Sequence, residues 1–240
     1  MDALPLDAVH IDLLHTANAG ALAKLDAYRA LMSGDERERM ARFVFERDRQ
    51  AFLLTRALVR TTLSRYAPVP PADWRFIANA HGRPEILDRP AGVPDLRFNI
   101  SHTTGLIACA VTIGREVGVD VEHIVRGLTH DVAGRHFAPA EVSDLRRLPE
   151  DQQRRVFFDY WTLKEAYIKA RGFGLALPLG DFAFKLNPPH APTIAFEPAL
   201  EDDPATWQFL QQWPTPQHRL ALAVRREGHD LPVRIRDVVP

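Results

Sequence analysis

The 240-residue sequence predicts an α+β protein whose two halves each combine helices with a small, mostly antiparallel sheet. Two observations lead there. Hydrophobic periodicity runs helix, helix, strands, helices, then strands again, without the strict β–α alternation of a doubly wound sheet. The strands are short and separated by turn residues, as in hairpins. A division into lobes of about 1–115 and 116–240 is expected. FVFERDRQAFLLTRALVR and VFFDYWTLKEAYIKA share only an aromatic-led helix, so the residues alone leave duplication of the lobes open.

Each element has its own signal. Ser33-Gly34-Asp35-Glu36 caps a first helix. From Glu36 to Arg49 the charges alternate in sign, which reads as an exposed helix laced with ion pairs. A second helix runs from about Arg47 to Tyr66, with Phe52, Leu53, Leu58, Val59 and Leu63 at helical spacing, and Pro68, Pro70 and Pro71 end it. Trp74–Ile77 and Glu85–Leu87 read as short strands around the turn His81-Gly82-Arg83-Pro84. Leu96–Ser101, Leu106–Ile113 and Val117–Glu122 follow as three strands, with His102 where the first enters its turn. Helices are expected at His130–Phe137, Ala140–Leu145 and Asp151–Ala170, then strand-like segments from Phe182 to Val239.

Composition narrows the function. Thirty basic against 31 acidic residues leave a formal charge of −1, without the basic excess of a general nucleic-acid binder. No window is long and apolar enough to cross a bilayer, and the first residues do not form a secretory signal, so a cytoplasmic protein is expected. The single cysteine, Cys109, lies in the apolar run LIACAV and reads as a buried, inert thiol. Neither a P-loop, a GxGxxG turn nor a GxSxG elbow occurs, so phosphate recognition must use side chains.

Three stretches carry chemistry. In VGVDVE, alternation puts Gly118, Asp120 and Glu122 on one face, the two acids roughly 7 Å apart along the backbone. Such a pair suits a hard divalent cation, and equally describes two solvent-facing acids at a strand end. In FNISHTTG, Asn99 and Ser101 share a face, and His102 stands at the strand end as a phosphate donor or as a turn histidine bonded to backbone. In WTLKEAYIKARG, Leu163, Ala166, Tyr167 and Ala170 cluster on one helix side, and Trp161 and Ile168 on another. Lys164, Glu165 and Lys169 fall beside the second cluster, close enough together to act on one object. Glu165 and Lys169 are spaced as a helical ion pair.

Taken together and in order, FNISHTTG, GVDVE and WTLKEAYIKARGFGL resemble the signature blocks of the 4'-phosphopantetheinyl transferases, in the form of the monomeric surfactin-synthetase-type members. The resemblance runs from about Glu36 to Leu177. It implies two similar lobes related by a pseudo-twofold axis, with the active site in the cleft between them. It also implies coenzyme A as donor and a serine of an apo acyl- or peptidyl-carrier protein as acceptor.

Carried over residue by residue, the resemblance assigns magnesium, with manganese as a substitute, to Asp120, Glu122 and Glu165. Ser101 and His102 would hold the phosphates of coenzyme A, Asn99 is a further expected coenzyme A contact, and Lys164 and Lys169 would meet the pyrophosphate. Arg39 and the turn Gly82-Arg83-Pro84 fall at the adenosine-phosphate end, with arginine replacing the commoner lysine of a Gly-Lys-Pro turn. Glu165, Lys169 and Asp120 are the expected catalytic residues. Phe173 and Leu175 are the expected carrier contacts. Two rival readings use the same residues: a magnesium-dependent phosphohydrolase, and a carrier-binding module without catalysis.

Overall fold

The computed structural model describes residues 8–125 and 130–240. Along the chain lie β1 (Val9–His15), α1 (Ala19–Leu22), α2 (Leu25–Leu31), α3 (Gly34–Ala41), α4 (Glu46–Ser64), β2 (Phe76–Ala78), β3 (Pro84–Ile86), β4 (Leu96–Thr103) and β5 (Leu106–Ile113). They are followed by β6 (Val117–His123), α5 (His130–His136), α6 (Pro139–Arg147), α7 (Glu150–Arg171), β7 (Phe182–Lys185), β8 (Thr193–Phe196), β9 (Trp207–Thr215), β10 (His218–Arg225) and β11 (Val233–Asp237). Among the described residues, 8–79, 84–114 and 232–240 form one compact unit, and 80–83, 115–125 and 130–231 a second. Each is an α+β unit. No helix among the described residues is long and apolar enough to cross a membrane.

In the first unit, β11, β1, β5 and β4 form a four-stranded sheet in that order. Only the β1–β11 pair is parallel. Helix α4 covers one face, and Leu53, Leu54 and Leu58 join a core with Phe98, Ile107, Cys109 and Val111. Burial pushes the Cys109 thiol far above its ordinary range, as an inert core cysteine requires.

Strand β1 has no counterpart among the expected elements. Its Asp12 is fully buried, accepting hydrogen bonds from Thr62 Oγ1 (2.7 Å), Arg65 (2.8 Å) and Arg236 (2.6 Å). A buried carboxylate needs such partners, and they come from α4, the residue after it and β11, beyond the reach of a local pattern.

The Ser33 cap is a full capping box with Glu36. The single charged helix expected from Glu36 to Arg49 is instead broken at Arg42–Phe45. Glu36 accepts a 2.7 Å bond from Arg60, an almost fully buried residue of α4. The expected ion pairing therefore ties two helices together. Strand β4 also continues past Ser101, and His102 still pairs with Ile107 before the two-residue turn at Thr104-Gly105. Gly105 has φ +91°, which a side chain would disfavour.

In the second unit, β6, β10 and β9 form an antiparallel sheet with β10 central. Helix α7 lies on it with Phe158, Leu163 and Tyr167 in a core shared with Phe182, Trp207 and Phe209. The helix approaches β6 so closely that a Cβ built on Gly118 would stand 2.0 Å from Ala166 O and 2.4 Å from Ala170 N. Glycine in a strand interior usually marks such a close approach, and here it sets the depth at which α7 sits. At its C-terminus α7 ends on Gly172, whose φ of +70° is the left-handed cap conformation.

Candidate active site

The Gly118 contact turns the Gly118–Asp120–Glu122 face of β6 toward α7, as alternation predicted. Opposite stand Trp161, Glu165 and Lys169, one helical turn apart. Lys169 Nζ donates to Asp120 Oδ1 at 2.6 Å, and the Asp120 side chain is 4% exposed. Trp161 Nε1 donates to Glu122 Oε1 at 3.4 Å. Burial pushes the Glu165 carboxyl above the usual carboxylate range. The negative charge of Asp120 adds to that rise, and Lys169 pulls against it. Asp120, Glu165 and Lys169 are thus electrostatically coupled across one strand and one helix.

Lys164 does not join them, which corrects the expectation that it meets phosphate. Neighbours in sequence do not share a helix face. Its fully buried Nζ donates to Leu179 O (2.7 Å) and Phe182 O (2.7 Å) and pairs with Glu141 Oε2 (2.8 Å). Glu141, also fully buried, accepts from the backbone N–H groups of Ala138 (2.9 Å) and Phe184 (2.8 Å). Lys164 and Glu141 therefore clasp α7 to α6 and to the segment entering β7. Burial pulls the Lys164 ammonium below its usual range and pushes the Glu141 carboxyl up, each opposed by the other's charge.

Arg83 lies at the end of α7. Its guanidinium donates to Ala170 O (2.7 Å) and Lys169 O (3.3 Å), carbonyls of the last turn that lack helical partners. The adjoining Gly82 has φ +84°, and Pro84 begins β3. Phe173 is 41% exposed, with the His81 ring edge-on (5.9 Å between centroids) and the Arg171 guanidinium 5.2 Å from its centroid. The Leu175 side chain lies outside the described residues.

In the first unit, Asn99 and Ser101 are buried on β4 and His102 is exposed, its side chain on the opposite face of the strand. Arg39 on α3 lines a pocket of about 570 Å³ with Asp35, Glu38, Arg42 and Phe43.

Among the described residues no three His, Cys, Asp or Glu side chains stand close enough together to form a ready-made metal cluster. As placed, Asp120 is engaged by Lys169 and Glu122 by Trp161. The donor chemistry fits a hard divalent cation: three carboxylates, no sulfur or nitrogen, and a repulsion between Asp120 and Glu165 that a cation would relieve.

Sequence reasoning passed over three contributors. The signal for Gly118 was a lone glycine within a strand. The signal for the Trp161 N–H was its place one turn before Glu165. No local pattern pointed to Glu141.

Acids on a strand facing an acid and an ammonium on a helix have the chemistry to move a proton beside an oxyanionic group. Comparisons with known proteins give the family. Residues 116–224 match the 4'-phosphopantetheinyl transferase superfamily, and residues 21–113 match the N-terminal region described for 4'-phosphopantetheinyl transferases. The chain is 36% identical over 207 residues to the 4'-phosphopantetheinyl transferase HetI of Nostoc sp., covering 86% of this chain and 84% of that one. It is 38% identical to a 4'-phosphopantetheinyl transferase of Bacillus subtilis and 34% identical to the Sfp enzyme of the same species, in each case over 68% of this chain and 70% of the relative. The chain belongs to the 4'-phosphopantetheinyl transferase superfamily.

Proposed function

We propose that this protein moves the 4'-phosphopantetheine group of coenzyme A onto a serine of an apo acyl- or peptidyl-carrier protein, with magnesium at Asp120, Glu122 and Glu165 and 3',5'-ADP as the second product. As a superfamily member it is an enzyme, a 4'-phosphopantetheinyl transferase, with coenzyme A and a carrier protein as its substrates. The observation that carries the finer reading is the coupling of Glu165, Asp120 and Lys169 across β6 and α7.

A serine hydroxyl is a weak nucleophile at neutral pH and needs a base beside it. Glu165 is assigned as that base: its half-buried carboxylate is electrostatically coupled to Asp120 and Lys169 across β6 and α7. It takes the serine proton as the oxygen bonds to the β-phosphorus of coenzyme A. The bond from that phosphorus to the bridging oxygen breaks, and 3',5'-ADP leaves with the electron pair. Lys169 offsets charge on the pyrophosphate as the bond breaks. Asp120, Glu122 and Glu165 would hold magnesium, which would supply further neutralisation of the negative charge that develops.

On the first unit the proposal assigns Asn99, Ser101, His102 and Arg39 to the phosphates of coenzyme A. The Gly82-Arg83-Pro84 turn goes to its adenosine end, with Arg83 keeping part of its guanidinium on the α7 carbonyls. Lys164 is left out because its ammonium is fully engaged inside the unit. The protein is proposed to act as a cytoplasmic monomer, with neither nucleic acid nor membrane as partner.

Incubation with coenzyme A, magnesium and an apo carrier, followed by weighing the carrier, tests the reading. A gain of the phosphopantetheine mass supports it. Inorganic phosphate released without a carrier would favour a hydrolase instead.

A further inference from the structure

Trp161 lies one turn before Glu165 on the face of α7 that meets β6. Its ring is half-buried and stacked on Phe157, with centroids 5.8 Å apart and planes 13° from parallel, and Phe137 lies 6.4 Å away. Packing alone accounts for the ring. It does not account for the direction of the indole N–H, which donates to Glu122 Oε1 at 3.4 Å. Glu122 is the next-to-last residue of β6 and only half-buried, so its side chain has rotamers to lose. A stacked indole is a rigid donor with which to select one of them.

We infer that Trp161 is a positioning residue: its N–H fixes the Glu122 carboxylate on the α7 side of β6, so that this acid contributes to divalent-cation binding with Asp120 and Glu165. The inference rests on the metal assignment proposed above. Removing a hydrogen-bond partner of a metal-binding side chain typically lowers metal affinity by about 10- to 100-fold.

The test is Mn²⁺ binding to the coenzyme A-loaded protein, without carrier so that no turnover occurs, followed by the paramagnetic signal of free Mn²⁺. Trp161→Phe keeps a stackable ring and removes only the donor. It should weaken Mn²⁺ binding by about 10-fold, and Glu122→Gln should do at least as much. The double variant should bind no more weakly than Glu122→Gln alone, because the indole acts through that carboxylate. Glu122→Asp, which leaves all the aromatic packing in place and withdraws the acid from the indole, should reproduce the loss. Mn²⁺ affinity unchanged in Trp161→Phe, or a full second loss in the double variant, would overturn the role of Trp161 and leave the metal assignment standing. A wild-type protein that binds no Mn²⁺ and transfers phosphopantetheine in excess chelator would overturn both.

Discussion

Gly118 of β6 and Ala166 of α7 are in backbone contact: a Cβ added to the glycine would lie 2.0 Å from the alanine carbonyl oxygen. Nothing flexible is available to yield, since the next nearest atoms are the Ala170 nitrogen and Cα. The helix carrying Glu165 and Lys169 is thereby held at a fixed depth over the strand carrying Asp120 and Glu122.

Gly118→Ala should therefore push α7 outward. Overpacking of this kind costs about 3 kcal/mol, measurable as a lower midpoint in urea unfolding, and transfer activity should fall with it. A variant of wild-type stability would show that the contact is looser than described.

Lys164 should matter to folding and not to coenzyme A. Lys164→Met strands the Glu141 carboxylate in the core, a change that costs about 3–5 kcal/mol. Pairing it with Glu141→Gln, which keeps an acceptor for the Ala138 and Phe184 amides, should recover most of that loss. The folded double variant should bind coenzyme A with wild-type affinity in calorimetry. A large loss of affinity there would return Lys164 to the phosphate site.

Glu165 should trade stability for function. A carboxyl whose folded pKa is raised favours the folded state when protonated, and that contribution disappears as pH rises through the folded value. Ionising the half-buried Glu165 of the metal-free protein thus costs stability as pH rises. Glu165→Gln should raise the melting temperature of the metal-free protein at pH 7 by about 2 °C. The difference should vanish below about pH 4.3. A lower melting temperature at pH 7 would contradict the direction.

Much of this was legible in the sequence because it is local. The period-two alternation of VGVDVE set the acids on one face, the i, i+4 spacing put Glu165 and Lys169 together, and Ser33 with Glu36 announced a helix start. What escaped was set by distant partners. Strand β1 has no expected counterpart, and its Asp12 is buried only because Arg65 and Arg236 pair with it inside the sheet. Lys164 looked like a twin of Lys169 until Glu141, 23 positions earlier in the chain, claimed its ammonium. The Trp161 indole read as packing because a periodicity argument sees the ring and not the N–H.

The central claim is that Glu165 takes the serine proton during phosphopantetheine transfer. The most direct measurement weighs an apo carrier protein after incubation with coenzyme A, magnesium and either wild-type protein or Glu165→Gln. The account predicts a carrier heavier by one phosphopantetheine group with the wild type, and a transfer rate lower by about a thousandfold with the variant. Near-wild-type transfer by Glu165→Gln would contradict the role of Glu165. No mass gain by the wild type on fatty-acid, polyketide and peptide-synthetase carriers alike would contradict the transfer itself.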